Sequence, residues 1–242
     1  MTVLGFVLYG SIVLVPLMLQ TLLGYPAVNA GVAMLPRGLG SFIAMPLVGA
    51  LMGKFEPRKL LGLGIIGASF SFLQFAHLNL NVGYWNFFWP LILQGSAMGL
   101  IFIPLTTLTN DPIPKEKMGN ATSLFNLMRN IGASIGIASV TTILTRHEQV
   151  HINSLGQHVT ALNPPARSLI SSMRGAMMAQ GSDPSMATRK AYASVFGMVQ
   201  RQAAMMSFND VFWLLTIIFA SMFPLIFLMG KPKHGKGPIA MH

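Results

Sequence analysis

Two arginines stand inside long apolar stretches of the chain. Arg129 lies well within the run 119–145, and Arg37 within 31–53. A charge inside such a run is costly in hydrocarbon, so Arg129 must face protein or a water-filled path. Asn126, Asn130 and Ala133 follow on its helical face at i−3, i+1 and i+4. This group could form an anion, substrate or gating contact in a central cavity. It could equally be a structural tie to helix-end carbonyls. Arg37 follows Pro36 near the outer end of its run and can snorkel to the interface, where anchoring is the simpler role. Asp210, in Ser207-Phe208-Asn209-Asp210 at the mouth of the last run, could exchange protons or pair with a cation. Capping the last helix is the simpler reading for it. Gln20, Gln74 and Gln94 lie in three different runs, where each could line a path or hydrogen-bond a neighbouring helix. His77 reads as interfacial.

His147, His151 and His158 share one helical face, and two histidines at i, i+4 can ligate a metal. No paired carboxylate accompanies them, so a solvated face is the simpler reading and no metal is expected. Seven methionines between 146 and 207 suit an adaptable apolar face better than a copper site. With no cysteine, thiolate sites and disulfides are excluded. The sequence offers no Ser/His/Asp set, phosphate-cradling glycine loop or carboxylate dyad, so neither an enzyme nor a cofactor is expected.

These residues are carried by segments that water cannot accommodate. Only 9% of the 242 residues are charged and 52% are hydrophobic, whereas a soluble domain carries about 25% charged residues. A bilayer-spanning helix needs about 20 apolar residues. Six runs qualify: 2–23, 31–53, 60–78, 85–109, 119–145 and 211–230. They are continuous, not alternating, which predicts an all-α membrane bundle of six helices and not a β-barrel. No acidic residue lies inside them. The first run lacks a basic leader and is too long for a signal peptide. Its abrupt start at Met1 predicts that more sequence precedes it in a longer parent.

The loops predict orientation. Lys54, Arg58 and Lys59, then Lys115 and Lys117, then Lys231, Lys233 and Lys236 fall on one side, while loops 24–30 and 79–84 have no Lys or Arg. The positive-inside rule puts the first set and both termini in the cytoplasm. Tyr25, Tyr84, Trp85, Trp89, Phe208, Phe212 and Trp213 would mark the outer interface. The net charge of +10 is then largely a topology signal, and without a clustered basic face no nucleic-acid partner is expected. The division is 1–145 for five membrane helices, 146–207 for an external loop, 208–230 for the last membrane helix and 231–242 for a basic tail. Within the loop, the fifth helix should run on to about Thr160 and break at Asn163-Pro164-Pro165. One amphipathic stripe follows (Ala166, Leu169, Ile170, Met173, Met177). Asp183-Pro184 then starts a second (Tyr192, Val195, Val199, Met206). Gly49xxxGly53, Gly95xxxGly99 and Gly132xxxGly136 allow close helix approach. Pro16, Pro46, Pro104 and Pro224 should kink their helices.

Several strings occur together: GFVLYGSIVLVPLMLQTLLGY from Gly5 to Tyr25, Leu35-Pro36-Arg37-Gly38 with Met45-Pro46-Leu47-Val48-Gly49, and Leu93-Gln94-Gly95 leading to Phe102-Ile103-Pro104-Leu105-Thr106-Thr107. Met118-Gly119-Asn120-Ala121-Thr122 leads in turn to Leu124 through Gly132. The chain resembles the last six helices of the fourteen-helix EmrB/QacA branch of drug:proton antiporters in the major facilitator superfamily. The resemblance implies one half of a major-facilitator fold in a bacterial inner membrane, exporting hydrophobic, often toxic compounds. Implied partners are the lipid bilayer, an N-terminal transporter half, a periplasmic adaptor and an outer-membrane channel. The loop Gly49 to Lys54 resembles the family's helix-linking motif but has Gly53 where that motif has Asp. A non-transporting membrane scaffold or assembly subunit is the rival reading.

Overall fold

The computed structural model describes residues 2–110, 113–160, 162–224 and 226. Among them are eight α-helices and one 3-10 turn, at Lys115–Lys117. The helices are α1 (Thr2–Thr21), α2 (Ala27–Ala33), α3 (Leu35–Met52), α4 (Pro57–Phe75), α5 (Tyr84–Asn110), α6 (Met118–Gly156), α7 (Pro164–Ala179) and α8 (Pro184–Met222).

Proline sets several boundaries. Pro57, Pro164 and Pro184 open α4, α7 and α8, where their missing N–H costs nothing. The run expected at 31–53 starts earlier, as α2, and is jogged from α3 at Met34. There the chain tightens to three-residue hydrogen bonds, from the Met34 N–H to the Gly31 carbonyl and from the Arg37 N–H to the Met34 carbonyl. Pro36, lacking an N–H, cannot continue the ladder. Pro16, Pro46 and Pro104 lie inside helices as expected, and so does Pro90. Pro224 lies two residues past the end of α8, and the rest of its expected run is largely outside the described residues. The expected end of the last run at 230 and the basic tail fall outside the described residues.

Four stretches are long and apolar enough to cross a membrane by length and composition: 27–52, 84–110, 118–156 and 184–222. A shorter apolar stretch spans 5–21. Helix α3 packs on α5, α1 on α6, and α4 lies against both α5 and α8. Helix α8 also packs on α6 and α7. The centre is aromatic: Phe72 stacks on Phe219 at 5.3 Å and Phe75 on Phe212 at 5.2 Å, with Phe87 beside Phe75. Phe208 and Phe212, expected at the outer interface, are core residues, because α8 turns them into the interior. Trp85, Trp89 and Trp213 are exposed. Leu39, Phe42, Ile43 and Leu47 of α3 are exposed too, as are Leu63, Ile66 and Phe70 of α4. Such outward apolar faces suit hydrocarbon, not water.

The second amphipathic stripe is not a separate helix. No proline interrupts 185–222, so it continues into the last span as one 39-residue helix. In its first turns Ala187, Ala191 and Val195 are buried, while Tyr192 is exposed. Helix α6 ends at Gly156, slightly short of the expected Thr160. The turn from α7 to α8 is tightly specified. The Gly181 N–H donates to the Met178 carbonyl and the Ser182 N–H to the Met177 carbonyl. This pattern needs the positive φ of 88° that Gly181 supplies. Asp183 then caps α8, accepting from the Ser185 N–H at 3.1 Å.

Candidate functional site

A cleft of about 220 Å³ opens between α5 and α6. Helix α5 contributes Phe102, Thr106 and Asn110, at successive i+4 positions, and α6 contributes Thr122, Phe125, Asn126 and Arg129. The Arg129 guanidinium carbon lies 5.8 Å from the Phe102 ring centroid, within cation–π range. The Thr106 hydroxyl donates back to its own helix, at the carbonyls of Phe102 and Ile103 (2.9 and 2.8 Å). Arg129 Nε and Asn110 Oδ1 are buried and have no hydrogen-bond partner among the described residues. Buried polar atoms of this kind are costly unless water or a ligand meets them. The cleft can therefore offer a cation, amides and hydroxyls to a guest within an otherwise apolar bundle.

The placement of Arg129 follows from helix packing on the opposite side. Gly5 of α1 sits directly against the Arg129 carbonyl, and Gly132 and Gly136 of α6 receive the backbone of Thr2 and Phe6. A Cβ at any of these glycines would collide with a carbonyl oxygen. The backbone of α6 is thus seated on α1, while the Arg129 side chain reaches α5. The pair α3–α5 is built in the same way. Gly95 meets the Arg37 carbonyl and Gly40 meets the Ile92 carbonyl. Ser41 donates to the Gly95 carbonyl at 3.0 Å and Ser96 to the Gly40 carbonyl at 3.4 Å. Gly49, by contrast, has nothing within 4 Å of where a Cβ would stand, so the expected Gly49xxxGly53 contact does not form among the described residues.

Of the residues singled out from sequence, the structure brings Arg129 and Asn126 together. Asn130 is exposed and lies outside the cleft, and Gln20 is exposed on α1. Gln74 lines a different, open groove with His77, Trp85 and Trp89. His77 donates from Nδ1 to the Leu73 carbonyl at 2.8 Å and packs against Trp213. Gln94 is 4% exposed, and neither end of its amide has a partner among the described residues. Arg37, expected to snorkel outward, is instead buried at 9% exposure. It lies on the same stripe as Gly40, Ala44 and Val48, whose face is turned inward. Asp210, expected to cap the last helix, lies in the interior of α8, where the N–H groups are already bonded. Its carboxylate Oδ2 accepts from His147 Nδ1 at 2.8 Å and from His151 Nε2 at 2.7 Å. Thr106, Asn110 and Thr122 were not singled out. The polar residues at i, i+4 after Phe102 were the signal available in the sequence.

A bundle of long apolar helices, paired through glycine faces and holding a cationic cleft, defines a polytopic membrane protein. The sequence matches the Major Facilitator Superfamily over residues 1–137, and the chain belongs to that family. It is 32% identical to the multidrug export protein EmrB of Escherichia coli K12, across 97% of this chain and 44% of that protein. It is 27% identical to the fatty acid resistance protein FarB of Neisseria gonorrhoeae, across 98% and 45%. It is 28% identical to the colistin resistance protein EmrB of Acinetobacter baumannii, across 93% and 44%. The chain therefore spans about half the length of the curated relatives it matches.

Proposed function

We propose that the chain forms the C-terminal six-helix half of a proton-driven multidrug efflux transporter for hydrophobic toxic compounds, and that it works only with an N-terminal half. The observation that carries this reading is the alignment, which runs through nearly all of this chain but under half of each export or resistance protein. Alternating access moves one bundle against another around a midplane site, and a lone bundle has no opposing surface. The Arg129–Asn126 cleft supports the reading, since a charge kept inside a membrane bundle marks a functional path by default. Gln20, Gln74, Gln94 and Asn130 are proposed as further path or gating positions. Arg37 is proposed as a positioning group held on the inward stripe of α3.

The six spans are α1, α2 with α3, α4, α5, the first part of α6 and the last part of α8. Both termini are cytoplasmic and 146–207 lies outside, which the lysines and arginines at 54–59 and 115–117 support. The bacterial inner membrane, a periplasmic adaptor and an outer-membrane channel complete the proposed setting.

The test is complementation. The 242-residue chain is expressed alone and together with the N-terminal half of a related exporter in cells lacking their own pumps. Alone it should insert and give no resistance. Paired, it should restore dye efflux that a protonophore abolishes. Efflux by the chain alone would replace this reading with a homodimeric transporter. A stable pair with no efflux would favour the scaffold.

A further inference from the structure

The histidines at i, i+4 on α6 stand in the string His147-Glu148-Gln149-Val150-His151, and the carboxylate that meets both rings comes from α8. His147 and His151 each turn a ring nitrogen to the same carboxylate oxygen, Oδ2 of Asp210, from a helix that begins 36 residues after His147 at the Asp183 cap. The three potential ligand atoms lie within 4.8 Å of one another. His151 is 19% exposed, whereas His147 and Asp210 are 47% and 38% exposed, so the cluster has a firm base and an open side. We propose that His147, His151 and Asp210 form a binding site for a divalent transition-metal ion of the Zn²⁺ class, bridging α6 to α8.

The donor set decides the class of ion. Two imidazoles and one carboxylate suit Zn²⁺, whereas Ca²⁺ and Mg²⁺ call for all-oxygen shells. Three protein ligands leave the fourth tetrahedral position to water, on the exposed side. Zn–N and Zn–O bonds of about 2.0–2.2 Å place tetrahedral ligand atoms about 3.3 Å apart. The observed nitrogen–oxygen separations of 2.7 and 2.8 Å need to open by only a small side-chain adjustment. In the metal-free hydrogen-bonded form each ring carries its proton on the nitrogen facing Asp210. On metal binding that proton leaves this nitrogen, for the ring's other nitrogen or for solvent, and the vacated lone pair goes to the ion. His158 is not among the clustered ligand atoms, and its Nδ1 donates to the Ser154 carbonyl at 2.9 Å. The bound ion would tie the projecting part of α6 to α8.

The experiment is calorimetric titration of Zn²⁺ into the purified protein in detergent, carrying no histidine tag, with each variant checked for a monodisperse peak. Wild type should bind one ion per chain at this site. His147→Gln, His151→Gln and Asp210→Asn should each weaken binding at least about tenfold, given that even outer-shell partners are worth about 10–100-fold. His158→Gln should leave it unchanged. Substituting Co²⁺ should give the visible absorption of a low-coordinate site in wild type and not in the three variants. Absence of stoichiometric Zn²⁺ binding in wild type would overturn the site and leave a hydrogen-bonded latch in its place. So would binding that survives any one of the three substitutions within about threefold. If one variant does not fold, the other two decide the outcome. Efflux is not read, so this test and the complementation test succeed or fail separately.

Discussion

Arg129 is held from both sides of α6. Its carbonyl is pressed against Gly5 of α1, and its guanidinium reaches over Phe102 of α5. Lysine at this position would keep the charge but lose the planar fork. In the paired transporter, Arg129→Lys should leave membrane abundance near wild type and lower efflux, and Arg129→Ala should lower it further. A hydrogen bond to a charged group contributes roughly 1.5–3 kcal/mol, so the alanine variant should lose roughly tenfold or more in efflux per folded molecule. Abundance is read from a fluorescent fusion. Unchanged specific efflux in both variants would reject a role in transport. The α6 half of this cleft was legible from the sequence, because Asn126 and Arg129 are one turn apart on a single helix. The α5 half was not, because Thr106 and Asn110 reach the cleft only through docking of helices that are separate in sequence.

At the scale of elements, glycine faces decide which helices pair. Gly95 and Gly136 each meet a carbonyl oxygen of the facing helix, whereas Gly49 faces open space. Gly95→Ala and Gly136→Ala should each destabilise the bundle by about 1–3 kcal/mol, the usual cost of overpacking, and lower the melting temperature in detergent. Gly49→Ala should be neutral or slightly stabilising, and equal melting temperatures for all three would refute the pairing argument. All three glycine repeats look alike in the sequence. What distinguishes them is which helix lies opposite, and local spacing does not carry that.

The start of α8 carries a pH dependence. The Ser185 hydroxyl, followed by the Ser185 backbone N–H, holds the Asp183 carboxyl below its usual value of 3.8. A depressed folded value means that the cap's contribution is fully present above 3.8. It fades as the pH falls through the lowered value. Amide protection at Ser185, corrected for intrinsic exchange, should stay level from neutral pH down to the usual carboxylate range and drop below it. Asp183→Asn should keep a cap and remove most of this dependence. Asp183-Pro184 was readable as a helix start because both residue types act through local backbone geometry.

At the scale of the whole molecule, topology is directly testable because the chain has no native cysteine. Ser154→Cys and Ser182→Cys should react with an impermeant maleimide in intact cells, and Lys54→Cys should react only after the membrane is opened. The reverse pattern would overturn the proposed orientation and the six-span reading with it.

An all-helical membrane protein with runs near 2–23, 60–78 and 85–109 follows from composition and hydropathy alone. Backbone polar groups in hydrocarbon must bond within their own segment, and that makes continuous apolar runs helical whatever their neighbours. Side-chain contacts between helices obey no such local rule. They depend on the rotation and depth at which each helix docks. Docking buries Arg37, brings Phe208 and Phe212 into the core, moves Asp210 from an expected cap to a partner of two histidines, and sets Asn110 across from Arg129.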